Sequence, residues 1–297
     1  MTRLTLSLAC ITVLGFALPM LAVAQTSSSE PLRIIMFGAH PDDCDIRSAG
    51  TAAKWAALGH KVRFVSVTNG DAGHHEMGGG MLAMRRRAEA EEAGRRLGIE
   101  YVVLDNHDGE LVPSLDVREQ IIRQIREWDA DLVLGPRPND YHPDHRYTGV
   151  LLQDAAFMVT VPNIATRTPA LRKTPVFLYY QDGFQRPNPF RPDIVVDITD
   201  TVDKKIDALD AHVSQFYEWL PWHAGYLDQV PKDPVERKAW LKKSRAGNIT
   251  PEVRAALEKT YGKDAGSKIE YAEAFEICEY GTRPTEADIK RLFPFLP

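Results

Sequence analysis

Residues 32–43 read LRIIMFGAHPDD. The first seven form a short apolar run with the character of a buried strand. A polar cluster, Ala39-His40-Pro41-Asp42-Asp43, follows without a spacer. Open parallel sheets bind their ligands outside the carboxyl ends of the strands, so an apolar strand that runs straight into a histidine and two aspartates places a candidate site on such a sheet. Pro41 fixes its own φ and stiffens the turn.

The pattern continues on the C-terminal side. Residues 46–58 carry Ala, Trp and Leu at helical spacing and stop at Gly59, a suitable C-cap. Residues 62–68 read as the next strand, 81–97 as a helix closed by Gly98, and 101–104 as a third strand. Residues 115–128 place Val117, Ile121, Ile122 and Ile125 on one stripe of an amphipathic helix. A fourth strand is expected at 132–134 and another helix at 145–159. Strands alternating with helices predict an α/β, Rossmann-like three-layer fold with a mainly parallel sheet. Residues 176–180 and 194–198 are further strand candidates, and 200–215 fits a helix capped by Thr199 or Asp200. Beyond Pro221 the pattern weakens, and 232–243, 251–261 and 268–273 read as short helices or loops. The expected organisation is an α/β core over 32–200 and a C-terminal helical extension, 201–297, packed on the same domain.

On the N-terminal side, residues 1–24 have Arg3, an apolar run and then Ala22-Val23-Ala24, a small-x-small cleavage pattern before Gln25. This reads as a secretory signal peptide, followed by a flexible leader over 25–31. The competing reading is an uncleaved anchor, because the apolar run approaches the length of a membrane span. The expected location is therefore exported, periplasmic or secreted, with no stable membrane span after cleavage. The net charge of −5 over 297 residues gives no general attraction to nucleic acid or anionic lipid. Cys44 and Cys278 remain after cleavage; they are expected to be two inert buried thiols rather than a disulfide framework.

A second polar cluster, His142-Pro143-Asp144-His145, follows the fourth predicted strand. Two His-Pro-Asp tripeptides then sit at the ends of two strands of one sheet. His40 and Asp43 can offer an imidazole and a carboxylate to one cation, and His145 completes the set. Three protein ligands with a position left for water is the pattern of a catalytic zinc site. Asp42 is placed to face that water.

These residues carry a family resemblance. The stretch IIMFGAHPDD, the helix and VRFVSVTNG strand after it, the later PNDYHPDHR, Arg86-x-x-Glu89 ahead of Leu97-Gly98, and Asp108-Gly109-Glu110-Leu111 resemble the PIG-L/LmbE-like N-acetylglucosaminyl deacetylases, in collinear order over about residues 32–200. The resemblance implies that His40, Asp43 and His145 bind Zn2+, with another divalent cation such as Fe2+ also accepted. It implies that Asp42 is the general base on the attacking water, and that His142 stabilises the oxyanion or protonates the leaving amine. Asp144 is expected to orient His142 and favour its imidazolium form. Cys44 stands where many relatives carry an acidic residue. A fourth protein ligand there would close the open position, so its thiol is expected to point away from the metal.

Other residues keep two readings. Arg86 contacts substrate, as its family position suggests, or pairs with nearby glutamates on a solvated helix face. Asp108 holds sugar hydroxyls or is a turn residue before Gly109. The Gly-rich loop with Asn69, Asp71, His74 and His75 rims the pocket or is a flexible surface loop; adjacent His74 and His75 are expected to point apart. Tyr141 reaches an oxyanion or packs at the rim. Trp219, Trp222 and Tyr226 form a sugar-stacking wall or pack beneath a loop.

The implied activity is zinc-dependent removal of an N-acetyl group from an N-acetylated amino sugar or glycoconjugate, releasing acetate and a free amine. The alternatives are a same-fold zinc amidohydrolase on a non-sugar amide and a non-catalytic carbohydrate-binding protein. The intact Asp42 argues against the last, since sugar binding needs no base beside a metal.

Overall fold

The computed structural model describes residues 30–247 and 249–297; the signal-peptide reading over 1–24 and most of the leader lie outside the described residues. Within Pro31–Pro297, which form one compact unit, the chain alternates β1 (Arg33–Gly38), α1 (Asp43–Ala57), β2 (Lys61–Thr68), α2 (Gly79–Leu97), β3 (Glu100–Asn106), α3 (Leu115–Trp128), β4 (Leu132–Gly135), α4 (Pro143–Met158), β5 (Val176–Tyr180), β6 (Ile194–Asp197) and α5 (Val202–Ala211), as the α/β reading requires. A π-helical turn at Ser214–Trp219, further short helices and β7 (Ala272–Ile277) follow.

The seven strands form one sheet in the order β3-β2-β1-β4-β5-β7-β6. The first five are parallel, whereas β7 runs antiparallel to both β5 and β6. Alternate residues of the strands face opposite layers. Ile34, Met36, Phe64, Leu132 and Leu134 pack under α1, α2 and α5, while Ile35, Phe37, Val65, Val67 and Val133 pack under α3 and α4. Strands buried on both faces explain why β1 reads as a continuous apolar run rather than an alternating one.

The strand order turns back on itself between β1 and β4, which lie side by side. A crevice opens outside the carboxyl ends of a doubly wound sheet at such a switch point. The His40 and His142 clusters are the segments that leave these two strands, so topology alone brings together motifs far apart in sequence.

The C-terminal part differs from expectation at one point. Residues 268–271 are a turn and loop, but 272–273 already belong to β7, which inserts between β5 and β6. Its Glu273 is buried and pairs with the equally buried Lys205 of α5 at 2.9 Å. The same carboxylate accepts from the backbone N–H groups of Gly50 and Thr51 and from the Thr51 hydroxyl, at 3.1, 2.7 and 2.6 Å. The extension therefore grips α1, the helix whose first residues carry the site. Among the described residues, no helix is long and apolar enough to cross a membrane.

Candidate metal centre and active site

Asp42 precedes α1 with φ 150° and ψ −23°. That backbone is unusual for a residue with a Cβ, and such strain concentrates at functional sites. It turns the chain sharply after Pro41 and leaves Asp43 as the first residue of α1. The Asp43 carboxylate folds back so that Oδ2 accepts from the His40 backbone N–H at 2.8 Å. At α4, His142 occupies the N-cap position, Pro143 opens the helix and the His142 side chain accepts from the Asp144 N–H. Proline at the first helical position needs no N–H partner and has its φ preset.

The two turns meet. His40 Nδ1 lies 3.2 Å from His145 Nε2, and Asp43 Oδ2 lies 3.5 Å from the former and 3.4 Å from the latter. Ligands held at about 2.0–2.1 Å around a tetrahedral ion stand about 3.3–3.4 Å apart along each edge. The three atoms thus form one face of such a tetrahedron, and the residues fit a metal ion. His142 also brings a ring nitrogen close to those of His40 and His145, and His40, Asp108, His142 and Asp144 form a second grouping within 4.8 Å. The first triad matches coordination edges; the second grouping holds the other side of His40.

There, His40 Nε2 faces Asp108 Oδ1 at 3.0 Å and Asp144 Oδ2 at 3.3 Å. His145 is braced likewise, its Nδ1 2.9 Å from Asp140 Oδ1. Carboxylates on the far nitrogens of metal-binding histidines fix tautomer and ring orientation. Burial opposes charge on both rings, but Asp108, Asp144 and Asp43 outweigh it at His40, whose pKa is raised well above the ordinary value. At His145, Asp43 and Asp140 overcome burial and raise it to about 9. Asp43 stays well below the usual carboxylate range despite burial, held there by His145 and His40. The triad is a place where the protein concentrates positive charge.

Asp42 has the opposite character. Burial raises its pKa to about 6, with the Arg86 guanidinium 3.5 Å away pulling the other way. A buried carboxyl beside a cation site, with a pKa near neutrality, suits a general base.

The structure refines three of the site residues. Arg86 is nearly wholly buried rather than on a solvated helix face: its guanidinium donates to the carbonyls of Gly70 and Pro41 and lies against Asp42 and Asp108. Gly70 is needed for this, because a Cβ there would come within 2.5 Å of Arg86 Nη1 and its φ is +72°. Asp108 is more than a turn residue: its carboxylate contacts His40 Nε2 and the Arg86 guanidinium. Asp144 contacts His40 and accepts from the Gly109 N–H at 2.7 Å; only its backbone N–H touches His142. Burial and the neighbouring His40 and His145 lower the His142 pKa, Asp144 notwithstanding. With Nδ1 accepting a backbone N–H, the neutral ring of His142 carries its proton on Nε2.

The loop after β2 is tied down. Glu218 of the π-helical turn accepts a two-pronged Arg85 fork at 2.7 and 2.7 Å and faces His74 Nε2 at 2.9 Å, and Gln215 donates to the Gly73 carbonyl. His74 and His75 do not point apart: their rings stack at 4.6 Å, and His75 stacks on Trp222 at 4.9 Å. Cys44 and Cys278 are both free and buried, in the cores on opposite faces of the sheet. The Cys44 thiol donates to the Met36 carbonyl, away from the triad. Asp140 was not singled out by sequence reasoning. Its signal was there, a turn aspartate two residues before the α4 N-cap, and its Oδ1 accepts from the His142 N–H.

Residues 35–156 match the family model described as PIG-L: GlcNAc-PI de-N-acetylase. Diacetylchitobiose deacetylase of Thermococcus kodakarensis is 32% identical over 198 residues, spanning 64% of this chain and 73% of the relative. The chain belongs to the PIG-L de-N-acetylase family. Among solved structures, N,N'-diacetylchitobiose deacetylase of Pyrococcus horikoshii superposes with a TM-score of 0.61 at 28% identity, covering 83% of this chain and 84% of that one. A 4-carboxy-2-hydroxymuconate hydratase of Pseudomonas putida reaches a TM-score of 0.65 at 21% identity, covering 86% and 99%; it shares the fold, which by itself does not carry function. As a PIG-L family member, the protein is a hydrolase of N-acetyl amide bonds, with a His/Asp cluster able to hold a metal ion.

Proposed function

We propose that the protein is a zinc-dependent de-N-acetylase that converts an N-acetylated amino sugar or glycoconjugate to the free amine and acetate. The observation that carries this reading is the triad of His40 Nδ1, Asp43 Oδ2 and His145 Nε2, spaced at 3.2–3.5 Å, with the buried Asp42 carboxyl within charge-interaction range of His40 and Asp43. Two imidazoles and one carboxylate are a catalytic zinc donor set, which other divalent ions also accept. Bound there, zinc would polarise the amide carbonyl and make water a stronger nucleophile at neutral pH.

The chain's own groups do the rest. Asp42 takes the proton from the attacking water. The developing oxyanion receives a hydrogen bond from His142 Nε2–H, whose direction is set by the Asp144 N–H on the opposite nitrogen. When the C–N bond breaks, Asp42 returns its proton to the departing amine, and the acetyl carbon leaves as acetate. Arg86 positions Asp42 from behind. The sugar substrate is supported by the two relatives, both named as deacetylases of a diacetylated amino-sugar disaccharide. Export is part of the proposal and rests on the leader pattern of residues 1–24; mass spectrometry of the mature N-terminus checks it, cleavage before Gln25 being expected.

Acetate release over a panel of N-acetyl amino sugars and non-sugar amides, with and without chelator, tests the whole reading. Chelator-sensitive release from the sugars supports it; release from the non-sugar amides alone, or from none, overturns it.

A further inference from the structure

The side chain of Tyr141 stands at the mouth of the centre and is 72% exposed. Its ring lies nearly perpendicular to those of His142 and His145, at centroid distances of 5.8 and 5.6 Å. Phe184 lies 6.5 Å from it at an interplanar angle of 34°. A large aromatic ring left in water forgoes the stabilisation that burial would give.

Both mounts are nevertheless fixed. Arg146 Nη1 donates to the carbonyls of Asp140 and Tyr141 at 2.8 and 3.0 Å, and Asp140 caps the same turn. On the facing loop, Arg137 grips the Asp182 carboxylate and donates to the carbonyls of Phe184 and Asn188, both at 3.0 Å. The fold holds an aromatic pair rigidly at the edge of the metal centre. The other exposed aromatic run differs in having protein partners: Trp222, 48% exposed, stacks on His75 and on Trp219, at 4.9 and 5.5 Å.

Pyranose rings present flat C–H faces that pack on aromatic rings, and an exposed apolar patch contiguous with a reaction centre marks a ligand surface. We propose that Tyr141, with Phe184 beside it, is the stacking platform for a second sugar ring, next to the ring whose acetamido group enters the metal centre. The substrate class is then a disaccharide or longer chain of N-acetylated amino sugar. This rests on the deacetylase reading above.

Steady-state kinetics on the monosaccharide and the disaccharide of N-acetylglucosamine test it, with Tyr141→Ala, Tyr141→Phe and Phe184→Ala. The wild-type protein should prefer the disaccharide in kcat/KM by about tenfold or more, the scale of one good aromatic contact. Tyr141→Ala should abolish that preference, mainly by raising KM for the disaccharide. Phe184→Ala should reduce it, and Tyr141→Phe should retain it because the ring face persists. Three results overturn the proposal: equal losses on both sugars in Tyr141→Ala, collapse of kcat in Tyr141→Phe, which would assign the hydroxyl to the oxyanion, or no wild-type preference. Failure of the wild-type protein to release acetate from either sugar removes the deacetylase reading, and the platform with it.

Discussion

His40 Nδ1 and His145 Nε2 face each other at 3.2 Å, although 105 positions separate the two residues. Asp43 Oδ2 lies within 3.5 Å of both nitrogens. Without an ion, protons must supply the positive charge that these acids favour, and burial fails to prevent it: His40 is raised and His145 reaches about 9. A bound cation must displace those protons. Metal binding at pH 7 should therefore release protons, and affinity should rise with pH up to about 9. Calorimetry in buffers of different ionisation enthalpy measures the release; a binding heat independent of buffer would contradict it.

Asp42→Asn should keep metal while lowering turnover by about a hundredfold or more. In the wild-type protein the acid limb of kcat/KM should lie at or below the Asp42 pKa of about 6, because a bound cation adds to the pull of Arg86. The stability effect has the opposite sign. Burial raises the folded-state pKa above the ordinary carboxyl value of 3.8, so from there up to about pH 6 the folded state holds a proton that the unfolded chain has lost. Above that window the buried charge is destabilising, and the metal-free Asn variant should melt higher than wild type at pH 8 but not at pH 4. Calorimetric melts at the two pH values check this.

His142→Ala should cut turnover by about a hundredfold, the scale of one lost oxyanion donor, with metal content unchanged. Since the His142 pKa is lowered by burial and by the neighbouring histidines, the ring works as a neutral donor. Its removal should leave any alkaline limb of the rate profile in place. Disappearance of that limb would make His142 the acid instead.

Lys205→Met strands Glu273 as a buried charge and loosens its hold on Gly50 and Thr51 of α1. Breaking a buried pair in this way costs about 3–5 kcal/mol, which for a domain of this size lowers Tm by about 10 °C. Thermal melts measure it; a shift below about 2 °C would show that water reaches the pair.

Much of this was legible in the chain because it is local. The apolar run of β1 and the His-Pro-Asp turns announce themselves within a dozen residues. Side-chain partners were harder to read: nothing in the spacing says that Asp108 and Asp144 meet His40, or that Arg86 turns inward onto Asp42. Those pairings depend on how loops from neighbouring strands converge. β7 was missed because Glu273 interrupts its apolar pattern and alanines are weak strand formers. That glutamate faces the core only because Lys205 and the Gly50–Thr51 backbone are there to receive it. The π-helical turn at Ser214–Trp219 had no local signal; it is held by Glu89, Gly73 and Arg85 from other elements.

One ion should sit at the corner shared by His40, Asp43 and His145. Anomalous diffraction at the zinc edge from zinc-loaded crystals tests it most directly. A single peak is expected about 2.0–2.2 Å from His40 Nδ1, Asp43 Oδ2 and His145 Nε2. A peak on the other side of His40, between Asp108 and Asp144, would contradict it.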